Sequence, residues 1–209
     1  MLIRRIESSS DAGFTPMLKI YAEAIHSAEQ KSIASLTSMV GRPEYRFQIC
    51  EEQGQVLGLT VSVCLRDPDA LLLEYIAVAD GQRGRGIGRF LFLNTVQMND
   101  VADRVVLIEV DSDDVSGSDN SQITKRRRFY RELGCREIEG LNYAMPRVSD
   151  EEPPPMNMFV YSTALPTHLK RDRVQGWISS LYVEVYGRPA NDPQVLAMFR
   201  KLPADLRLI

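Results

Sequence analysis

The 209-residue sequence lacks the residue clusters that mark a disulfide-rich or metal-binding protein. Its three cysteines, Cys50, Cys64 and Cys135, are too few and too far apart for a disulfide framework or a zinc ligand set. Its two histidines, His26 and His168, are isolated and have no metal-ligand spacing. We therefore expect no metal site, and a reducing compartment is the simpler interpretation of the cysteines.

Long apolar runs and a strong net charge are also missing. Nowhere do eighteen apolar residues follow one another, and the N-terminus has no segment typical of a signal peptide. The formal net charge is −3, with 44% hydrophobic and 25% charged residues, which is ordinary for a globular chain. A surface built throughout to hold nucleic acid is not indicated. We expect a cytoplasmic protein with neither a membrane nor a nucleic-acid partner.

The hydrophobic pattern of the first half predicts strands interrupted by helices. An N-terminal strand precedes helical spacing over residues 14–28, and a shorter helical pattern covers 33–40. Alternation on both sides of residues 53–54 predicts an antiparallel hairpin. The run ALLLEYIAVA predicts a strand buried on both faces, and a helix over 87–98 follows it. The next buried strand is RVVLIEVD.

The second half predicts a helix, two strands and two further helices. The helix QITKRRRFYRELG ends at a capping glycine, Gly134, and strands are expected within REIEGLNYAM and MNMFVYSTA. Asp192 and Pro193 begin the last helix as its cap and first turn. We expect one domain over 1–165 and a helical extension over 166–209, packed on that domain or at a dimer interface.

A glycine-rich loop lies between the buried strand and the next helix. The segment ADGQRGRGIGRFLF contains Arg83, Gly84, Arg85, Gly86, Gly88 and Arg89. A bare backbone at the start of a helix presents unpaired N–H groups to an anion, and arginines can add charge-assisted hydrogen bonds. The spacing fits neither the Walker motif nor the dinucleotide fingerprint. A ligand with phosphate groups is expected, and a solvated turn is the alternative.

Two segments resemble a known family. YIAVADGQRGRGIGRFLF resembles the acetyl-CoA signature of the GNAT superfamily of N-acetyltransferases, in which Arg/Gln-x-x-Gly-x-Gly/Ala joins the fourth strand to the third helix. Arg83, Gly86 and Gly88 occupy those signature positions, and RFYRELGC resembles the second signature of the family. The order of the predicted elements over residues 1–165 also resembles that of this family. The resemblance implies an α/β (α+β) fold with a mixed, mostly antiparallel central sheet flanked by helices, to which this chain adds C-terminal helices.

The resemblance implies acetyl-CoA as cosubstrate and an N-acetyltransferase activity. The pantetheine arm would pair with the exposed backbone of the strand before the loop, and one strand amide would polarise the thioester carbonyl. Tyr130 matches the family's general acid, while a core aromatic is the alternative for this residue. The expected cofactor contacts are Ile76, Ala77, Val78, Arg83, Gly84, Arg85, Gly86, Ile87, Gly88, Arg89 and Phe129.

A general base is needed because an amine acceptor arrives mostly as its ammonium. Glu74 is the first candidate, since a carboxylate inside an apolar strand is costly unless it is paired or functional. A structural salt bridge is an equally open interpretation of Glu74, and Glu109 is the second candidate for the base. The loop carboxylates Asp111, Asp113 and Asp114 are expected to form a solvated turn.

The resemblance implies direct transfer of an acetyl group to a primary amine of a small molecule or peptide in a ternary complex. A non-catalytic CoA-binding module is the alternative function. The basic helix KRRRFYR leaves nucleic-acid binding as a third possible function. Arg126 and Arg127 of that helix are hypothetical contacts of a CoA phosphate. The sequence leaves open whether the chain forms a homodimer.

Overall fold

The structure is a computed structural model that describes residues 1–66, 70–98, 104–112 and 120–209. Its strands are β1 (Leu2–Ile6), β2 (Tyr45–Glu52), β3 (Gln55–Cys64), β4 (Ala70–Val78), β5 (Val105–Asp111), β6 (Arg136–Tyr143), β7 (Met156–Tyr161), β8 (His168–Lys170) and β9 (Asp205–Arg207). Its α-helices are α1 (Phe14–Ala24), α2 (Ile33–Met39), α3 (Ile87–Val96), α4 (Asn120–Glu132), α5 (Arg171–Glu184) and α6 (Pro193–Phe199).

A seven-stranded sheet has the order β1-β2-β3-β4-β5-β7-β6, and β8 pairs with β9 separately. The sheet is mixed and mostly antiparallel, as predicted; β4 and β5 form a parallel pair. The described residues divide into two compact units. The first comprises 1–64, 73–98 and 147–152, and the second comprises 65–66, 70–72, 104–112, 120–146 and 153–209. Strand β4 contributes to both units.

The first unit is built on the hairpin of β2 and β3. These strands pair antiparallel on either side of a turn in which Gln53 and Gly54 both have positive φ angles, as the predicted hairpin requires. Both α1 and α3 contact β3. Helix α1 ends at Ala24, four residues earlier than the pattern predicted, because Ile25 and His26 adopt extended angles. A short 3-10 helix, Ser27–Glu29, then leads towards α2.

The second unit holds the C-terminal segment 166–209 against the strands that precede it. Strand β7 pairs antiparallel with both β5 and β6, and the backbones of Glu137 and Ile209 exchange two hydrogen bonds. Trp177, Ile178 and Leu181 of α5 are almost completely buried. The predicted helices α5 and α6 are present, with Asp192 capping α6. The short strands β8 and β9 were not predicted.

Some predicted features fall on residues outside the described ranges. The turn at residues 67–69 and the carboxylates of Asp113 and Asp114 are among them. Among the helices of the described residues, none has the length and apolar character needed to cross a membrane.

Candidate functional site

The glycine-rich loop follows β4 and leads directly into α3. Gly84 has a φ angle of +82° and Gly86, the N-cap of α3, has a φ of +78°. Side-chain-bearing residues rarely adopt these left-handed angles, which explains why glycine stands at both positions. A Cβ atom built on either glycine would meet no atom within 4 Å apart from those of the glycine and its two neighbours in the chain. The space on the Cβ side of these two glycines is therefore open, and the first N–H groups of a helix have no partner inside it.

The arginines of the loop are exposed, as the predicted anion site requires. Arg85 donates a hydrogen bond to Glu52 Oε2 at 2.7 Å and one to Gln82 Oε1 at 2.5 Å. The hydrogen bond from Arg85 lowers the pKa of the Glu52 carboxyl below its usual value. Arg83 lines a cavity of about 220 Å³ together with Glu23 of α1 and Asp80. Arg85 thus already has an acidic partner at the loop.

The end of β4 carries the predicted backbone contacts. Ile76 and Val78 are half-buried and pack against a cluster of Cys50, Leu57, Ile87 and Leu91. The parallel register of β4 with β5 covers Ala70–Leu72, while β4 continues to Val78. Ile87, the first residue of α3, is buried, so the start of α3 is anchored in the core of the first unit.

Glu74 is buried and paired. Its carboxylate Oε1 lies 2.5 Å from Lys31 Nζ, and the two side chains are only 3% and 11% exposed. This salt bridge is the structural alternative that the sequence left open for Glu74. Lys31 has no sequence signal, because it stands 43 positions earlier in a polar connector between α1 and α2.

Two tyrosines hold the backbone of the connector around Lys31. The Tyr21 hydroxyl donates to the Lys31 carbonyl at 3.1 Å, and the Tyr75 hydroxyl donates to the Glu29 carbonyl at 3.0 Å. Their rings meet edge to face at 4.9 Å. Burial raises the pKa of Tyr21 to about 12 and that of Tyr75 well above its usual value. Both phenols therefore stay protonated, and act as donors, at neutral pH.

Tyr130 lies on the buried face of α4. Its side chain is 4% exposed, and its ring contacts Phe129 at 5.2 Å and Phe159 at 6.4 Å between centroids. Cys135 follows the helix and is also buried, which raises the pKa of its thiol to about 12. Because the thiolate is the reactive form of cysteine, Cys135 is a poor nucleophile in this position.

Arg127 is bound inside the second unit. Its guanidinium contacts Glu137 Oε2 at 2.7 Å and Asn157 Oδ1 at 2.9 Å, and it lies over the Phe159 ring at 5.4 Å. The hypothesis that Arg127 contacts a CoA phosphate is therefore wrong: its side chain, only 6% exposed, fastens α4 to β6 and β7. Arg126 pairs with Asp111 at 2.5 Å. Asp111 is the buried last residue of β5, so the expectation that it lies in a solvated turn is wrong.

Glu109, the second candidate base, accepts hydrogen bonds from two tyrosines. Tyr143 donates to Oε1 at 2.5 Å, and Tyr186 donates to both carboxylate oxygens at 2.8 Å. Burial raises the pKa of the Tyr143 phenol well above its usual value, so Tyr143 remains a donor. Sequence reasoning missed both tyrosines because they are distant in the chain: Tyr143 lies in β6 and Tyr186 just after α5.

The predicted site residues fall into two groups. Glu74, the end of β4 and the glycine-rich loop through Arg89 belong to the first unit, whereas Phe129 and Tyr130 belong to the second. In the part of the chain that the structure describes, no group of His, Cys, Asp and Glu could hold a metal ion. His26 instead caps the 3-10 helix by accepting a hydrogen bond from the Ala28 amide.

Comparisons with known proteins identify the fold. No protein-family model and no curated protein sequence matches the chain. A protein from Bacteroides thetaiotaomicron assigned to the GNAT family has a similar structure, with a TM-score of 0.73 and 18% identity over 90% of this chain and 100% of that one. The chain therefore has the GNAT fold.

Two further solved structures share this fold. An aminoglycoside 6′-N-acetyltransferase complexed with coenzyme A has a TM-score of 0.55 and 16% identity, over 79% of this chain and 99% of that one. The ribosomal-protein-S18-alanine N-acetyltransferase from Escherichia coli has a TM-score of 0.56 and 17% identity, over 79% of this chain and 95% of that one.

The buried pair of Arg127 and Glu137 predicts a measurable effect on stability. Arg127→Met should lower the free energy of unfolding by about 3 kcal/mol, because Glu137 would lose its buried partner. Arg131, at 3.1 Å from the same Glu137 oxygen, keeps the loss near the lower end of the usual range. Urea unfolding would measure it. The control is Arg128→Met, whose 70% exposed side chain pairs with Glu132 and should contribute at most about 0.5 kcal/mol. Equal losses for the two variants would contradict this role of Arg127.

Proposed function

We propose that the chain is an N-acetyltransferase that transfers the acetyl group of acetyl-CoA to a primary amine by direct attack. The observation that carries this proposal is the geometry of the glycine-rich loop, which joins β4 to the start of α3 in left-handed glycine conformations. The GNAT fold supports the same function. The acceptors named for the structural neighbours, an aminoglycoside and a protein alanine, are both amines, which supports the substrate class.

The residues of the loop fit the diphosphate of CoA. The open space over Gly84 and Gly86 leaves room for phosphate oxygens close to the backbone. A helix N-terminus favours negative charge by about 0.3–1 kcal/mol per charge, and the exposed Arg83 and Arg89 can add charge-assisted hydrogen bonds. Arg85 would contribute less than the sequence predicted, because Glu52 already offsets its charge.

Strand β4 fits the role of a docking edge for an extended ligand. Its register with β5 covers three residues, and the strand then continues through Ile76, Ala77 and Val78. An extended amide-containing chain can add to a strand edge through backbone hydrogen bonds. Ile76 and Val78 pack against the core of the first unit, which supports a rigid backbone there. A rigid N–H aimed at a developing oxyanion would lower the barrier of acyl transfer.

Acetyl-CoA supplies an activated thioester to this site. Tyr130 is proposed to protonate the departing thiolate, since a phenol with an unperturbed pKa of about 10 keeps its proton at neutral pH. Glu74 is proposed to accept a proton from the amine. Cys135 is buried and mainly in its thiol form, which favours direct transfer over an acyl-enzyme on that residue.

A non-catalytic CoA-binding module is the second candidate function. The salt bridge between Lys31 and Glu74 favours it, because a carboxylate that already holds an ammonium at 2.5 Å is not a vacant base. The two candidates share the CoA site and differ in turnover. Thiol release from acetyl-CoA over a panel of amines separates them: binding without thiol release for any amine would support the module.

The loop geometry predicts the effect of a substitution at Gly86. Gly86→Val should abolish the rise in melting temperature that acetyl-CoA produces, because the branched side chain would occupy the space proposed for phosphate. Gly187→Val is the matched control, since Gly187 has a φ of +63° and equally open surroundings but lies outside the loop. The control should retain the ligand-induced rise. A full rise in Gly86→Val would contradict the proposed cradle.

The acid role predicts a loss of turnover without a loss of binding. Tyr130→Phe should lower acetyl-CoA-dependent thiol release by about 10²–10⁴-fold, because proton donation to the leaving group is removed. The ligand-induced rise in melting temperature should stay close to that of the wild type, since the ring and its packing remain. Unchanged thiol release would remove Tyr130 from the mechanism and leave it as a core aromatic.

A further inference from the structure

Lys31 differs from every other lysine of the chain. The sequence has five lysines, and Lys19, Lys125, Lys170 and Lys201 are exposed, whereas the Lys31 side chain is only 11% exposed. A buried ammonium is costly unless it is paired, and Lys31 pairs with Glu74. A primary amine therefore lies 2.5 Å from the carboxylate that is the proposed base for an amine acceptor.

The connector around Lys31 is anchored at several points, so this placement is built into the fold. Besides the hydrogen bonds from Tyr21 and Tyr75, the Gln30 side chain donates to the Ile25 carbonyl at 2.7 Å. Ser27 Oγ donates to Glu151 at 2.8 Å. These contacts fix the backbone at Lys31 and before it, and the salt bridge to Glu74 holds its side chain at β4.

We propose that Lys31 is a site of self-acetylation, at which the chain modifies its own ε-amine. The inference rests on the proposed function, and it identifies an acceptor within the chain itself. Glu74 takes a proton from the Lys31 ammonium, and the neutral nitrogen attacks the thioester carbonyl. The nitrogen–carbon bond forms and the carbon–sulfur bond breaks. The second proton lost by the nitrogen balances the one that the leaving thiolate accepts to become the CoA thiol. The product is N-acetyl-lysine at position 31.

The modification changes the charge of the site. An acetylated Lys31 is neutral and can no longer form the salt bridge with Glu74. The carboxylate then becomes available to a second, external ammonium. Lys31 in its unmodified form competes with an external amine for Glu74, and acetylation removes this competition.

The burial of Lys31 makes the experiment selective. Chemical acetylation by a reagent such as acetic anhydride favours exposed amines, so it should modify Lys31 least of the five lysines. Incubation of the purified chain with acetyl-CoA should reverse that order and modify Lys31 most, as measured by peptide mass spectrometry. The rate constant should not change when the protein is diluted tenfold, because the amine and its base belong to one chain. If acetyl-CoA instead modified Lys31 least of the five lysines, as acetic anhydride should, the proposal would be overturned.

Two variants test the role of Glu74. Glu74→Gln should lower the rate of acetylation at Lys31 at least tenfold, because no proton acceptor remains there. Glu74→Asp keeps the charge and retracts it by one methylene, so it should fold even if Glu74→Gln does not, and its rate should also fall. The modification of the exposed Lys19 and Lys125 by acetic anhydride, which needs no enzyme, should be the same in both variants as in the wild type. Wild-type rates at Lys31 in the folded variants would overturn the proposal.

The melting temperature separates this inference from the proposed function. A chain that is stabilised by acetyl-CoA and acetylates external amines, while Lys31 stays unmodified, would overturn the inference and leave the proposed function intact. A chain that acetyl-CoA does not stabilise, and that releases no thiol, would overturn both.

Discussion

The left-handed backbone of the loop between β4 and α3 is the constraint on which the proposed chemistry depends. Gly84 and Gly86 have φ angles of +82° and +78°, which glycine adopts without the steric cost that a side chain brings. This geometry starts α3 directly after the loop and leaves open space beside Gly84 and Gly86. The side chain of Ile87, the first residue of α3, is buried and anchors the end of the loop in the core of the first unit. A phosphate site needs both the open backbone and the rigid support.

Two buried ion pairs of the described residues each hold a different element in place. Lys31 and Glu74 join the α1–α2 connector to β4, and Arg127 and Glu137 join α4 to β6. The loss of one member of a buried pair strongly destabilises the fold, because the remaining charge stays desolvated. The two pairs differ in chemistry: the guanidinium of Arg127 cannot lose its proton, whereas the amine of Lys31 can. Only the Lys31 pair therefore offers a nucleophile.

The sequence predicted the elements whose signals are local. The hairpin around residues 53–54, the cap of α6 at Asp192 and the glycine loop all depend on residue types next to one another, and the structure confirms these three elements. Pairings between distant positions could not be predicted: Lys31 with Glu74, and Tyr186 with Glu109, have no spacing that marks them. The three-residue strands β8 and β9 are too short for a periodic pattern.

Backbone amide chemical shifts during a titration with CoA test the central claim most directly, because they report on the N–H groups themselves. The account predicts saturable shifts at Gly84, Gly86 and the first turn of α3, since those amides would bind the diphosphate. It predicts smaller changes at Gly187, which shares the backbone conformation and lies outside the loop. Unchanged shifts at Gly84 and Gly86 under saturating CoA, with binding shown by other amides, would contradict the account.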